Sequence, residues 1–209
     1  GDAVRIDAIT DDGQYHAWTE INVTQRPFEI ENVDTVTVPL AQSGYTTEYL
    51  RYRITINDRP NETNYYRIVI DKQTTLWGYN HEEGGDDYIY WTKHSYNFIG
   101  REDVVLTDGQ PTTGDDEDNG LFDTAKNIYG VFDDTRFRNT SYTMTVYNNT
   151  KIETGSDSGY FSGMDVIIRL MSITETEYYY LKALNLVDSD AYDETINEPI
   201  KYPSNVHGG

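Results

Sequence analysis

From Leu50 to Ile56 every second residue is apolar. Leu50, Tyr52, Ile54 and Ile56 fall on one side of the chain, and Arg51, Arg53 and Thr55 fall with Tyr49 on the other. A repeat of two is the side-chain period of a half-buried strand and cannot form the apolar stripe of a helix. The pattern returns at Asn64 to Asp71, where Tyr66, Ile68 and Ile70 are in phase. The breakers Asn57-Asp58-Arg59-Pro60-Asn61 lie between the two runs, so the pair predicts a β-hairpin. The same test marks Val4 to Ile9, Tyr15 to Val23, Asn32 to Leu40, Tyr88 to Phe98, Tyr142 to Tyr147 and Met164 to Ile173. About eight strands separated by turn-rich segments predict an all-β fold. The expected form is an antiparallel β-sandwich of the immunoglobulin-like kind, with a barrel as the alternative.

One segment departs from the pattern. Thr174 and Glu177 have the spacing of a capping box, and Leu181 and Leu184 follow at helical spacing, so a short helix is predicted over 174–186. Its leucines are expected to lie across an open edge or end of the sandwich, blocking edge-to-edge pairing. The stretch from Thr107 to Gly120 crowds Gly, Pro, Thr, Asp and Glu together and reads as a long solvated loop.

Composition removes several classes of function. The 209 residues include no cysteine, which excludes disulfide frameworks, zinc–thiolate sites and a cysteine nucleophile. Sixteen Lys and Arg against 36 Asp and Glu leave a formal charge of −20, which repels phosphate backbones, so nucleic acid is not an expected partner. No apolar run approaches the roughly 18 residues of a membrane-crossing helix. The four histidines, His16, His81, His94 and His207, lack metal-ligand spacing, and no Gly-x-Ser-x-Gly elbow or phosphate-cradling glycine motif is present. Asp115-Asp116-Glu117-Asp118 invites a calcium reading, but glycine and glutamate are missing from the loop positions that a calcium hand requires. No cofactor, metal or catalytic residue is therefore predicted.

What remains is aromatic. There are 19 tyrosines against six phenylalanines and three tryptophans. Trp77, Tyr79, Tyr88, Tyr90 and Trp91 surround Gly84-Gly85, with Glu82, Glu83, Asp86 and Asp87 at the same tip. Planar rings beside carboxylates commonly hold sugars or short peptides, which makes these five residues the candidate ligand site. The plain alternative is that Trp77 and Trp91 only pack the core and an edge strand. The chain thus reads as a non-catalytic binding domain. A glycan-binding or glycan-degrading sandwich and a structural or adhesin module are the competing readings.

Three separated segments also resemble domain-of-unknown-function family 4249, a group of Bacteroidetes outer-membrane lipoproteins. The first is Asp58-Arg59-Pro60-Asn61-Glu62-Thr63-Asn64-Tyr65-Tyr66-Arg67. The second comprises Glu102-Asp103-Val104-Val105-Leu106 and Val131-Phe132-Asp133-Asp134-Thr135-Arg136-Phe137. The third runs from Ser172 to Leu181, followed by Asn197-Glu198-Pro199-Ile200 and Tyr202 to Gly209. Arg59 and Asn139 stand where the family usually has proline and glycine. The match covers roughly residues 45–209. It implies that 1–40 are the final strands of a preceding β domain with its connection, and that 41–209 form the sandwich. It further implies an envelope protein held to the outer membrane only through a lipid anchor that this chain lacks. A TonB-dependent transporter, or a glycan or peptide delivered to it, is the implied partner. The resemblance brings no catalytic residues.

Overall fold

The structure, a computed structural model, describes residues 2–23, 29–42, 45–80, 87–100, 102–109, 127–150, 160–188 and 206–208. Its elements in chain order are β1 (Asp2–Ile9), β2 (His16–Val23), β3 (Ile30–Gln42), β4 (Tyr45–Asn57), β5 (Tyr65–Asn80), β6 (Asp87–Ser95), β7 (Val131–Asp133), β8 (Ser141–Asn149), β9 (Tyr160–Ile173), α1 (Glu175–Asp188) and β10 (His207–Gly208). All ladders are antiparallel. One sheet has the order β3-β4-β8. In the facing sheet β5 is central, with β9 along one side and β7 then β6 along the other. Strands β1, β2 and β10 form a third, small sheet.

The alternation seen in the sequence sets the core. Tyr52, Ile54 and Ile56 of β4 and Met144 and Val146 of β8 face Tyr66, Ile68 and Ile70 of β5 and Phe132 of β7, all nearly or fully buried. Val105, Leu106 and Phe137 plug the same layer from loops. Each such side chain contributes about 1.5–3 kcal/mol by leaving water. The result is an all-β sandwich with one short helix near its C-terminus among the described residues.

The expected hairpin between Glu48–Ile56 and Asn64–Asp71 does not form. Strand β4 pairs with β3 and β8, whereas β5 pairs with β6, β7 and β9. Both runs turn their isoleucines inward, so they face each other across the core instead of lying side by side. The connection is a sheet-crossing corner pinned by carboxylates. Asp58 accepts hydrogen bonds from the Tyr66 hydroxyl (2.9 Å), Asn64 Nδ2 (3.2 Å) and the Asn139 amide (2.8 Å). Fully buried Asp134 accepts from the Asn64 amide (2.9 Å) and from Arg138 (3.0 Å). Burying a charge costs several kcal/mol unless it is paired in this way.

The outer edge of β8 is also closed by a carboxylate. Asp103 is buried and accepts from the amides of Val105 (3.0 Å), Leu106 (3.2 Å) and Thr145 (2.8 Å) and from the Tyr142 hydroxyl (3.0 Å). A bridge between Ile99 and Tyr147 continues the same cap.

Strand β5 runs to Asn80, well past the alternation that marks its start, because Asp71 and Lys72 interrupt the apolar pattern although both are buried. Thr174 caps α1, its hydroxyl accepting from the Glu177 amide at 3.1 Å. The helix lies at an end, where β5 begins and β9 finishes, and not along a free edge. It packs Tyr178 and Leu181 on the outer face of the β5 sheet, against Tyr65, Val131, Ile173 and Tyr129. Tyr65 and Tyr66 thus serve opposite faces, as their adjacency in a strand requires. The ladder between β3 and β4 runs from Ile30↔Ile56 to Gln42↔Tyr45, crossing the boundary drawn at residues 40 and 41.

Candidate functional site

The first two family-like segments and residues 172–181 of the third come together at one end of the sandwich; 197–205 lie outside the described residues, and His207 and Gly208 pair with β2. Beyond the corner contacts, the Tyr65 hydroxyl donates to Glu175 (3.0 Å) and the Tyr178 hydroxyl donates to Asp133 (3.2 Å). Burial, together with the bond to Glu175, pushes the Tyr65 phenol up to about 12. A depression of about 380 Å³ is lined there by Val105, Asp108, Asp133, Thr135 and Arg136. Its polar groups are already engaged. Asp108 pairs with Lys182 (2.7 Å), Arg136 donates to the Asp108 carbonyl (2.8 Å), and Asp133 accepts from Thr135 and Tyr178. These residues hold the fold.

The aromatic candidates lie some 12 residues further along β5, about 40 Å at strand rise. Register divides them. Trp77 pairs with Tyr90, and Tyr79 pairs with Tyr88, which puts these four positions on the outer face. Trp91 pairs with Leu76, a buried residue of the inner face, so it does not join the other four. Its ring lies against Gly78, where an added Cβ would meet it at 3.2 Å. Trp91 therefore lies on the face opposite the other four. Tyr79 is placed only by register, and its side chain lies outside the described residues, as do tip residues 81–86.

Strand β9 adds a residue that sequence reasoning missed. Tyr160 pairs with Trp77, and the two rings stack at 4.7 Å with 27° between planes. Tyr88 flanks Trp77 at 5.5 Å. A cross-strand row Tyr90–Trp77–Tyr160 results, with Tyr88, Tyr90 and Tyr160 each 57–65% exposed. The sequence signal was weak, because Ser162-Gly163 and a bulge opposite Thr75 and Leu76 break the alternation that leads to Tyr160.

Two residues along β5 and β6, and three along β9 because of the bulge, the next outer-face row is Thr92–Thr75–Gly163. A Cβ placed on Gly163 would touch nothing within 4 Å, so the backbone there faces open space. The row beyond is His94–Gln73–Asp165. Rows lie about 6.6 Å apart, so a shallow trough about 13 Å wide separates the rings from the polar row.

In the next row on the same face sits Asp71, with its side chain 3% exposed. It accepts from His94 Nδ1 (2.9 Å), Gln73 Nε2 (2.8 Å) and Arg169 (3.4 Å). Burial works against its charge, but the bonds from Gln73, His94 and Arg169 outweigh that and hold the carboxyl below its ordinary range. The same bonds orient the three side chains. A neutral imidazole donating through Nδ1 presents Nε2 as an acceptor, and Gln73 is left with its carbonyl oxygen as acceptor. The other described histidines lie elsewhere. His207 packs on Trp18 at 4.5 Å, and His16 bonds Asp7 at 2.8 Å in the small sheet. Among the described residues no group of acids and histidines could hold a metal ion. The acidic run at 115–118 lies outside the described residues.

Two antiparallel sheets over one apolar core, clamped at one end by a helix and carrying an exposed aromatic row on an outer face, define an all-β sandwich domain. The chain belongs to the family described as a domain of unknown function, DUF4249, whose model matches residues 1–209, the whole chain. The match therefore takes in β1 to β3 as well as the segments from residue 45 onward. No curated protein and no solved structure matches the chain.

Proposed function

We propose that this chain is a non-catalytic binding domain of a cell-envelope lipoprotein, and that it holds its ligand on the outer face of the C-terminal half of β5. The observation that carries the reading is the Tyr90–Trp77–Tyr160 row. Three tyrosines more than half exposed on one flat sheet face form the kind of patch that marks an interaction site. The envelope location, the lipid anchor and association with a TonB-dependent transporter rest on the resemblance alone.

The test is a pull-down from detergent-solubilised envelope membranes, with the wild-type protein and a Tyr88→Ser/Tyr90→Ser variant as bait. Recovery of an outer-membrane transporter by both proteins supports the accessory role. Recovery of no envelope protein by the wild type overturns it.

A further inference from the structure

We propose that the trough between the aromatic row and the polar row takes a neutral carbohydrate chain lying across the strands, an inference that rests on the binding-face reading above. Three features favour sugar over peptide. First, Tyr90 and Tyr160 flank Trp77 in one cross-strand row and stand 65% and 60% exposed, and the exposed apolar surface of aromatic rings suits the polarised C–H face of a pyranose. Second, the opposite wall offers side-chain groups of mixed donor and acceptor character. His94 and Gln73 are held by Asp71 from the row behind them, and Thr75 and Thr92 line the floor. Such a set pairs with hydroxyl groups, which both donate and accept.

Third, the floor cannot serve a peptide main chain. From Gln73 to Trp77, β5 is paired with β6 on one side and β9 on the other. Its backbone groups are therefore committed to the ladders, so a peptide lying on this face cannot add to β5, and strand addition is left to the outer edges of β6 and β9, away from the rings. Charge sets the remaining choice. Arg169 already offsets Asp71, Asp165 is exposed, and the chain carries −20 overall, so an acidic glycan would be repelled.

Gly163 supplies the test. A Cβ there meets no protein atom within 4 Å, so Gly163→Leu is expected to reach into the trough while the fold stands. The probes are an immobilised panel of neutral hexose and N-acetylhexosamine oligosaccharides, a polyuronate, and a set of extended peptides. The expected result is binding of at least one neutral oligosaccharide, weakened about tenfold or more by Gly163→Leu and by Tyr90→Ala, with unchanged melting curves. Peptide binding that the same two variants abolish overturns the carbohydrate assignment and leaves the binding face intact. Oligosaccharide binding indifferent to both variants overturns the binding face itself. No binding to any probe overturns both.

Discussion

Replacing Asp103 by alanine tests how carboxylates hold this fold together. Its two oxygens receive four donors: the Val105, Leu106 and Thr145 amides and the Tyr142 hydroxyl. Val105 and Leu106 are each 4% exposed, and Asp103 itself is 3% exposed, so water does not replace the lost acceptor freely. A buried donor left without a partner costs about 1–3 kcal/mol. Four of them give a range of about 4–12 kcal/mol, and the partial exposure of Tyr142 and local relaxation favour the lower end. Asp103→Ala should therefore cost about 4 kcal/mol. Asp103→Asn keeps the oxygen that serves three donors but turns an amide nitrogen toward the Thr145 amide, for an expected cost of about 2 kcal/mol. Urea unfolding followed by circular dichroism reads the difference as a lower midpoint at unchanged slope. An alanine variant within about 1 kcal/mol of wild type would refute the argument that Asp103 closes the β8 edge.

Three further outcomes are expected. Gly130 has φ of 65°, and an added Cβ would come within 2.3 Å of the Ile68 carbonyl oxygen, so Gly130→Ala should lose roughly 3 kcal/mol in the same assay. Thr174→Ala removes the hydroxyl that caps α1 and should cost about 1 kcal/mol, detected as faster hydrogen exchange at Glu177 and Tyr178. The depressed carboxyl of Asp71 favours the folded state above the ordinary carboxylate range, and this contribution is lost as pH falls through its lowered value. Acid melts of Asp71→Asn should accordingly be less steep below pH about 4 than those of wild type, and an identical acid limb would contradict the ion-pair reading.

The strands were largely legible because period two is a local property. Leu50 to Ile56 and Tyr66 to Ile70 announced their buried faces, and Thr174 with Glu177 announced the helix start. What lay beyond local pattern was misread or missed. β7 and β10, at three and two residues, are too short to show a period, and the buried Asp71–Lys72 pair hid the second half of β5. Two inward-facing strands joined by a polar turn have the same sequence signature whether they pair with each other or face each other across a core. Alternation says which side chains are buried, not against what.

The candidate site divides along the same line. Trp77, Tyr88 and Tyr90 could be named from the sequence because aromatic residues clustered near a turn, but the cluster alone gave Trp91 equal standing. By itself the sequence determined that this chain is all-β, where most of its strands run, and that it carries no thiol. Only the tertiary structure decided that Trp91 turns inward and that Tyr160, some 80 residues away, joins Trp77 above an open Gly163. Strand register makes that choice. A shift of one residue moves a side chain to the other face, and register is set by pairing between distant segments.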